Sequence, residues 1–269
     1  ECPKLITLLM LRTPYYSFTV PPNLFASMQA LRVLDLSRTP LSELPSAIGL
    51  LVELRHLNLH WTNVQSLPED MGKLVKLRQL DLSETLCLTK VPRAALVTLR
   101  SLQSLNLFDS AYKMKSREED GKDGRDGVCL RDLEDNLGGL EDLELNIFTS
   151  QCLQDLVDSK KFQRCTRKLE IGRLSDLTFG DLSVASERLQ NLEYLGISEC
   201  RGLEGVWRVD SVTQLRRLKG LRLSKLEGLR NVEGYFPCLK RLVISGCHQL
   251  NDLNWAGRLP RLEELQILN

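Results

Sequence analysis

The sequence is poor in several features that define common protein classes. It has no apolar run of 18 residues, and its first 20 residues lack the layout of a secretory signal. None of its eight cysteines forms a C-x-x-C pair, which argues against zinc-finger and thioredoxin-like sites. No asparagine lies in an Asn-x-Ser/Thr glycosylation site. These absences favour a cytoplasmic protein with free thiols and no membrane span.

An excess of charge of either sign is also lacking. The chain has 36 basic and 35 acidic side chains among 269 residues, and its net charge is +1. A balanced charge gives no general attraction to nucleic acid, so we expect no nucleic-acid partner.

Motifs that carry catalysis are missing as well. The sequence has no G-x-S-x-G elbow, H-E-x-x-H pair, dinucleotide fingerprint or G-x-x-x-x-G-K-[ST] phosphate loop. His56 and His60 flank Asn58 in a way that two metal ligands could, but no third ligand lies at a suitable spacing. We therefore expect an exposed polar strand there, with no catalytic residue, metal or cofactor, and no enzymatic activity.

What the chain does have is a repeat. The stretch LPSAIGLLVELRHLNL at 44–59 returns 23 residues later as LPEDMGKLVKLRQLDL at 67–82. A fixed period of this length is typical of a solenoid. Its core, L-x-x-L-x-L, occurs eleven times at spacings of 21 to 26 residues, with one gap of 38. The first positions of the copies are Leu5, Leu31, Leu54, Leu77, Leu102, Leu140, Thr166, Leu192, Leu218, Leu239 and Leu262.

This pattern matches the leucine-rich repeat, in which each copy supplies one short strand and a returning segment. We therefore predict an α/β repeat solenoid, a horseshoe of about eleven repeats with a parallel, concave β-sheet. Along each strand the last two leucines or isoleucines alternate inward, and the residues between them point outward. No single repeat can bury its leucines alone, so the stack forms the core.

The repeats differ along the chain, although we expect a single domain over 1–269. Residues 1–108 hold regular repeats, 109–128 a charged, glycine-punctuated insertion loop, and 129–269 irregular repeats. In the regular part, Pro45 and Pro68 are expected to keep the return segment extended, and Gly49 and Gly72 to permit a tight turn.

Longer stretches resemble a particular family. FASMQALRVLDLSRTPLSELPSAIGLLVELRHLNL is similar to the C-terminal repeats of plant intracellular nucleotide-binding immune receptors (NLRs). The later stretches KFQRCTRKLEI, LEYLGISEC and CHQLNDLNWAGRLPRLEELQI resemble those of their coiled-coil class. The resemblance implies a sensor of a pathogen effector or of a host guardee protein. It also implies an autoinhibitory contact with the nucleotide-binding domain, which we expect in a longer parent because this chain has no phosphate loop.

In such repeats the turn position eight residues after the first leucine is buried and bonds to backbone. Here that position is occupied by Thr13, Thr39, Thr62, Thr85, Cys200 and Cys247. Small polar side chains at this position satisfy loop amides that stacking would leave unpaired.

The outward strand positions form the expected protein-binding surface. Acidic residues dominate them from 35 to 170, whereas Arg222 and Arg241 make the later ones basic. This polarity suits a partner of opposite charge or the receptor's own nucleotide-binding domain. The predicted site residues are Asp35, His56, Asn58, His60, Trp61, Gln79, Asp81, Phe108, Glu144, Tyr194, Arg222 and Arg241.

Trp61 stands in an otherwise charged row just beyond its strand. It is either an anchor for a partner or a ring folded over the neighbouring turn. Replacing Trp61 by Ala or Asp81 by Arg is expected to impair recognition while the fold survives, whereas Leu57→Asp is expected to unfold its neighbourhood.

Two other functions fit a repeat of this kind. One is a cytosolic scaffold that binds a small GTPase or a phosphatase, although the variable periods after Leu102 argue against it. The other is the substrate-receptor arm of a ubiquitin ligase, whose adaptor-binding helices would lie upstream.

Overall fold

The computed structural model describes residues 2, 4–10, 19–21, 23–116, 127–206, 215–232 and 236–268. Within these residues a parallel strand lies at each of the eleven predicted positions. The chain forms two compact units, 1–145 and 146–269, hereafter the first and the second unit. No helix in the described ranges is long and apolar enough to cross a membrane.

The strands of the first unit are neighbours in chain order, and their central leucines stand in register. They are β1 (Thr7–Leu9), β2 (Val33–Asp35), β3 (His56–Asn58), β4 (Gln79–Asp81), β5 (Ser104–Asn106) and β6 (Asp142–Ile147, whose last two residues belong to the second unit). The chain returns through 3₁₀ turns at Phe25–Ser27, Ser46–Leu50 and Glu69–Lys73, and through helices α1 (Arg93–Leu96) and α2 (Leu130–Asn136). A 23-residue repeat leaves room for only one such turn, and the leucines on both sides of it are buried.

The prolines and glycines of the return segment have different roles. Pro45 and Pro68 have the predicted extended backbone, with ψ of 148° and 144°. Gly49 and Gly72 instead lie inside the 3₁₀ turns and have no positive φ. A Cβ at Gly49 would lie 2.7 Å from the carbonyl oxygen of Asp70, and one at Gly72 would overlap backbone of the next repeat. These glycines thus lie in the predicted tight turns, but what requires glycine there is close packing between repeats and not an unusual backbone conformation.

Both ends of the predicted insertion are anchored. The hydroxyl of Tyr112 accepts a hydrogen bond from the Val128 N–H and donates one to the Val128 carbonyl, each at 2.8 Å. Lys115 and Cys129 form a parallel bridge just beyond. Residues 117–126, the centre of the insertion, lie outside the described residues.

An ion pair between exposed Arg93 and buried Asp132 connects α1 to α2. Arg93 donates from Nε and Nη2 to Oδ1 of Asp132, each at 2.6 Å, and Asp132 is 2% exposed. The other oxygen of this carboxylate accepts the Cys129 N–H at the start of α2. Charge-assisted hydrogen bonds of this kind fix geometry as well as adding energy.

In the second unit, α-helices replace the 3₁₀ turns in the first repeats. Its strands are β7 (Thr166–Gly172), β8 (Tyr194–Ser198), β9 (Gly205–Val206), β10 (Gly220–Ser224), β11 (Asn231–Val232), β12 (Arg241–Ser245) and β13 (Glu264–Leu268). β7, β8, β10, β12 and β13 form the main parallel sheet in that order, and β9 pairs with β11 behind it in the return segments. The helices are α3 (Ser150–Asp158), α4 (Lys160–Cys165) and α5 (Phe179–Arg188), and a 3₁₀ turn spans Ala256–Arg258.

Each of these helices begins at a hydroxyl residue. The side chains of Thr149, Ser159 and Thr178 accept the backbone N–H three residues on, which satisfies a donor that the helix leaves free. A 26-residue spacing between anchors gives enough chain to form and cap such a helix.

The predicted turn ladder is confirmed at the positions that the structure describes, and Thr13 lies outside the described residues. The hydroxyls of Thr39, Thr62 and Thr85 are buried and donate to the carbonyl three residues earlier at 2.6 to 2.8 Å. Cys200 is buried and Cys247 half-buried in the equivalent turns, and both thiols contact backbone carbonyls. Burial raises the pKa of both thiols, so they are poor nucleophiles at neutral pH.

Candidate functional site: the outward strand faces

A row of Asx turns ends the strands of the first unit. The side-chain oxygens of Asp35, Asn58, Asp81 and Asn106 each accept the backbone N–H two residues on, at 2.8 to 3.0 Å. This N–H would otherwise face outward without a partner, and short Asp and Asn side chains satisfy it locally. The predicted site residues Asp35, Asn58 and Asp81 therefore also have a structural task.

Side chains on the outward face of the first unit are also bonded between neighbouring strands. Asn58 donates to Asp35 at 3.1 Å, and Nδ1 of His56 lies 2.8 Å from Oε1 of Gln79. These bonds connect residues one repeat apart and hold the polar side chains in one arrangement.

A longer chain of bonds runs through His60. The Ser83 hydroxyl donates to Asp81 at 2.6 Å and lies 2.8 Å from Nδ1 of His60. Because the hydroxyl proton is used on Asp81, Ser83 accepts from His60, and this assigns the His60 proton to Nδ1.

One residue further along, every repeat of the first unit from β2 to β5 has a left-handed residue. The φ angle lies between 53° and 57° at Arg38, Trp61, Glu84 and Asp109. The backbone N–H of the first three donates to a carbonyl of the next repeat, which extends the ladder past the strand end. The turn thus requires this backbone conformation and leaves the side chain free to vary.

Trp61 uses that freedom to present its ring. The side chain is 55% exposed, and the guanidinium carbon of Arg38 lies 5.6 Å from the ring centroid. This is the geometry of a cation–π pair. The ring therefore lies at the surface in a defined position, next to a positive charge.

The remaining predicted residues of the first unit, Phe108 and Glu144, are half-buried on the same face. The Phe108 N–H is the one that Asn106 caps, and the Glu144 backbone carbonyl accepts from Leu107 at 2.7 Å.

The outward face of the second unit is built differently, because glycines line it. Gly172, Gly196 and Gly220 occupy outward positions and are buried. A Cβ at Gly172 would lie 3.4 Å from the Phe148 ring, one at Gly196 would overlap the Glu170 carboxylate, and one at Gly220 would lie 2.7 Å from Cδ2 of Tyr194. Each bulky side chain thus lies across the glycine of the next strand, and Tyr194 is half-buried in this way.

The two predicted arginines of this face have different surroundings. Arg222 is half-buried on β10. Arg241, on the neighbouring β12, is exposed and pairs with Glu264 at 3.2 Å. An exposed pair of this kind contributes little to stability, so both cations remain able to meet a partner.

Not every outward strand position is accessible. Glu170, expected to belong to the acidic stripe, is 6% exposed because it packs over Gly196. The other outward positions that the structure buries are Ser83, Asn146, Gly172, Gly196, Gly220 and Ser224. None of the twelve predicted site residues is among them.

Sequence reasoning noted the charged row beyond the strands around Trp61, but missed its left-handed backbone and its continuation in the second unit. Its signal is the position seven residues after the first leucine of each repeat, occupied in the second unit by Arg173, Glu199 and Lys225. Both cations pair with Glu199 at 3.0 Å. The hydrogen bond from Lys225, followed by that from Arg173, lowers the pKa of the Glu199 carboxyl.

The chemistry of both faces is that of recognition. In the described ranges no group of three His, Cys, Asp or Glu side chains is placed to hold a metal ion. The faces offer instead positioned donors, acceptors and aromatic rings, which suit contact with another protein.

Comparisons with known proteins agree with this description. The Leucine Rich Repeat family model matches residues 30–51. A probable disease resistance protein of Arabidopsis thaliana is 30% identical over 273 residues, which cover 100% of this chain and 27% of that protein. The chain thus spans about a quarter of the length of this relative.

Solved structures share the fold. The repeat ectodomain of the Arabidopsis receptor kinase HAESA, in complex with a peptide hormone, matches with a TM-score of 0.51 and 17% identity, over 93% of this chain and 44% of that one. An internalin from Listeria monocytogenes matches with a TM-score of 0.50 and 18% identity, over 91% of this chain and 71% of that one. The chain therefore has the leucine-rich repeat fold and is similar, over its whole length, to part of a plant disease resistance protein.

Proposed function

We propose that the chain is the ligand-sensing and autoinhibitory repeat domain of a plant intracellular receptor of the nucleotide-binding, coiled-coil class. It acts in the cytoplasm, without catalysis, by binding a pathogen effector or an effector-modified host protein. The observation that carries this proposal is the likeness to a disease resistance protein over the whole chain.

The outward face of the first unit supports a direct role in recognition. Its polar side chains are fixed by bonds between strands, so a partner orders few of them on binding. Trp61 adds an exposed aromatic ring beside the Arg38 cation, the combination that interface hot spots favour.

The outward face of the second unit supports the autoinhibitory part. Arg222 and Arg241 supply positive charge beside the Tyr194 ring, a surface suited to an acidic patch on the nucleotide-binding domain. Recognition and inhibition are thus assigned to different residues, and variants can separate them.

The recognition test is a cell-death assay in leaves with the receptor that carries this chain. At Asp81 the suitable variant is Asp81→Asn and not Asp81→Arg. Asp81 is half-buried and accepts the Ser83 N–H, and asparagine can keep that hydrogen bond. We expect Trp61→Ala and Asp81→Asn to reduce the response to the matching effector. Val75→Ala is the control, since Val75 is similarly exposed but lies on a return segment. An unchanged response from both face variants, at unchanged protein level, contradicts the recognition surface.

Inhibition is tested in the same assay without effector. Arg222→Glu and Arg241→Glu are expected to give cell death on their own, because reversed charge repels an acidic partner. If both variants give no cell death without effector, the proposed inhibitory contact is contradicted. Sequencing the parent transcript upstream of Glu1 is the separate test of architecture, and an in-frame phosphate loop is the expected result.

A further inference from the structure

A groove of about 470 Å³ lies in the second unit, outside both the strand face and the residues proposed above. It is formed by the turns that follow β7, β8 and β10. Its lining residues are Arg173, Ser175, Glu199, Arg201, Lys225 and Glu227.

The wall nearest the strands is fixed in place. Arg173, Glu199 and Lys225 each donate a backbone N–H to the next repeat at 2.7 to 3.0 Å, and their side chains form one ion-paired row. Glu199 receives a cation from each side, and these cations lower its pKa, so it stays ionised and its charge is already matched.

The far wall, two residues further along each turn, is packed closely from repeat to repeat. A Cβ at Gly202 would lie 2.8 Å from the Ser175 carbonyl oxygen, and one at Gly228 would lie 3.0 Å from that of Arg201. Glycine at these positions lets successive turns approach and keeps the groove narrow.

Two charges in the groove are unmatched. Arg201 and Glu227 are exposed, and their side chains have no hydrogen-bond or ion-pair partner among the residues that the structure describes. A guanidinium presents a fork of donors that fits a carboxylate or a phosphate. Glu199 and Glu227 repel a phosphate dianion more strongly than a single carboxylate, and Glu227 itself attracts a cation.

We propose that this groove binds an extended protein segment that carries an acidic and a basic side chain two residues apart. The acid pairs with Arg201 and the base with Glu227. Turns of neighbouring repeats lie about 4.8 Å apart, and alternate residues of an extended chain point the same way about 6.6 Å apart. Long, flexible Arg and Glu side chains span the difference.

The probe is the peptide acetyl-Gly-Glu-Ala-Lys-Gly-amide, added to the ¹⁵N-labelled chain at low salt. We expect a saturable shift of the Arg201 Nε–H signal. Arg201→Gln and Glu227→Gln should each weaken binding roughly twofold to fivefold, as for an exposed ion pair. Arg217→Gln is the matched control, because Arg217 is exposed in the turn before β10, at the other end of that strand.

Several results overturn the proposal. The first is the absence of a saturable shift of the Arg201 signal. The second is an equal shift with a peptide in which Gln replaces Glu, and the third is unchanged binding to both groove variants. A larger shift with inorganic phosphate assigns the groove to phosphate instead. The measurement involves no immune response, so its failure leaves the proposed receptor function untouched, and the reverse also holds.

Discussion

The two units differ in whether glycines lie on the outward strand face. In the first unit Gly49 and Gly72 lie on the return segment, where backbone of the next repeat packs against them. In the second unit Gly196 and Gly220 lie on the outward strand face, where the side chains of Glu170 and Tyr194 cover them.

The difference shows which side of each unit is free to carry function. In the first unit the close backbone packing lies on the return segments, at Gly49 and Gly72. The strand face there carries polar side chains that are hydrogen-bonded to one another. The second unit instead has glycines on its strand face, where Glu170 and Tyr194 lie across them, and that face is therefore flat and partly closed. The first unit therefore presents separate polar groups, and the second a smoother surface around Tyr194.

The largest expected effect tests what the units share. Leu57 and Leu221 are the central leucines of their strands and are 2% and 1% exposed. Alanine at either position should cost about 2–5 kcal/mol, and aspartate more, because it buries an unpaired carboxylate. Urea unfolding followed by circular dichroism measures both. If either aspartate variant unfolds at the same urea concentration as the wild type, its leucine is not part of a shared buried core.

The next effect separates the units. Gly72→Ala forces Cβ into the Ala94 backbone, which cannot move alone, so we expect a loss of about 1–3 kcal/mol. Gly220→Ala meets only the Tyr194 ring, which can swing outward, so the loss should stay below about 1 kcal/mol. Gly138→Ala is the control, because nothing lies within 4 Å of its Cβ. If Gly72→Ala and Gly220→Ala lower the free energy of unfolding equally, the proposed difference between the units is contradicted.

A third prediction concerns the stem of the insertion in the first unit. Tyr112→Phe removes both bonds to the Val128 backbone and should cost about 1–3 kcal/mol. Burial raises the pKa of Tyr112 to about 12 from 10.0. Between these values the unfolded chain loses the proton first, so stability is full below pH 10 and falls as the pH rises toward 12.

Denaturant midpoints from pH 8 to 11 measure this dependence. The Phe variant should lose the part of the alkaline decline that Tyr112 causes, since phenylalanine has no proton to release. A variant that declines as steeply as the wild type rules out Tyr112 as a source.

The smallest effect is expected in the turn ladder, where Thr62 of the first unit and Cys200 of the second have equivalent positions. Both bond to a backbone carbonyl, so Cys200→Thr should change stability by less than about 1 kcal/mol. In the wild type, exposed Cys87 should react with a thiol reagent much faster than Cys200, whose pKa is raised by burial. Fast labelling of Cys200 would show that the turn is open.

Sequence reasoning succeeded where a residue's place depends on the repeat alone. All eleven strands, the inward leucines and the threonine ladder follow from periodicity, because each repeat meets only its neighbours. It failed where two repeats meet through particular side chains. Nothing in the local pattern around Glu170 showed that Gly196, one repeat away, would leave space for it to be buried.

The candidate site divides in the same way. Register alone identified the positions of Trp61, Asp81 and Tyr194, but not the Arg38 guanidinium over the Trp61 ring or the Ser83 bonds that occupy Asp81. Register also overlooked Arg201 and Glu227, because the turns beyond the strands were treated as connections.

By itself, the amino-acid sequence determined the repeat, its strand register and the leucine-rich repeat fold, since leucines recurring every 21 to 26 residues are buried by stacking one repeat on the next. Only the tertiary structure decided which outward side chains stay accessible, because each position is covered or left open by a residue from the next turn of the solenoid. Contacts between residues 21 to 26 positions apart set that outcome, and no local pattern specifies them.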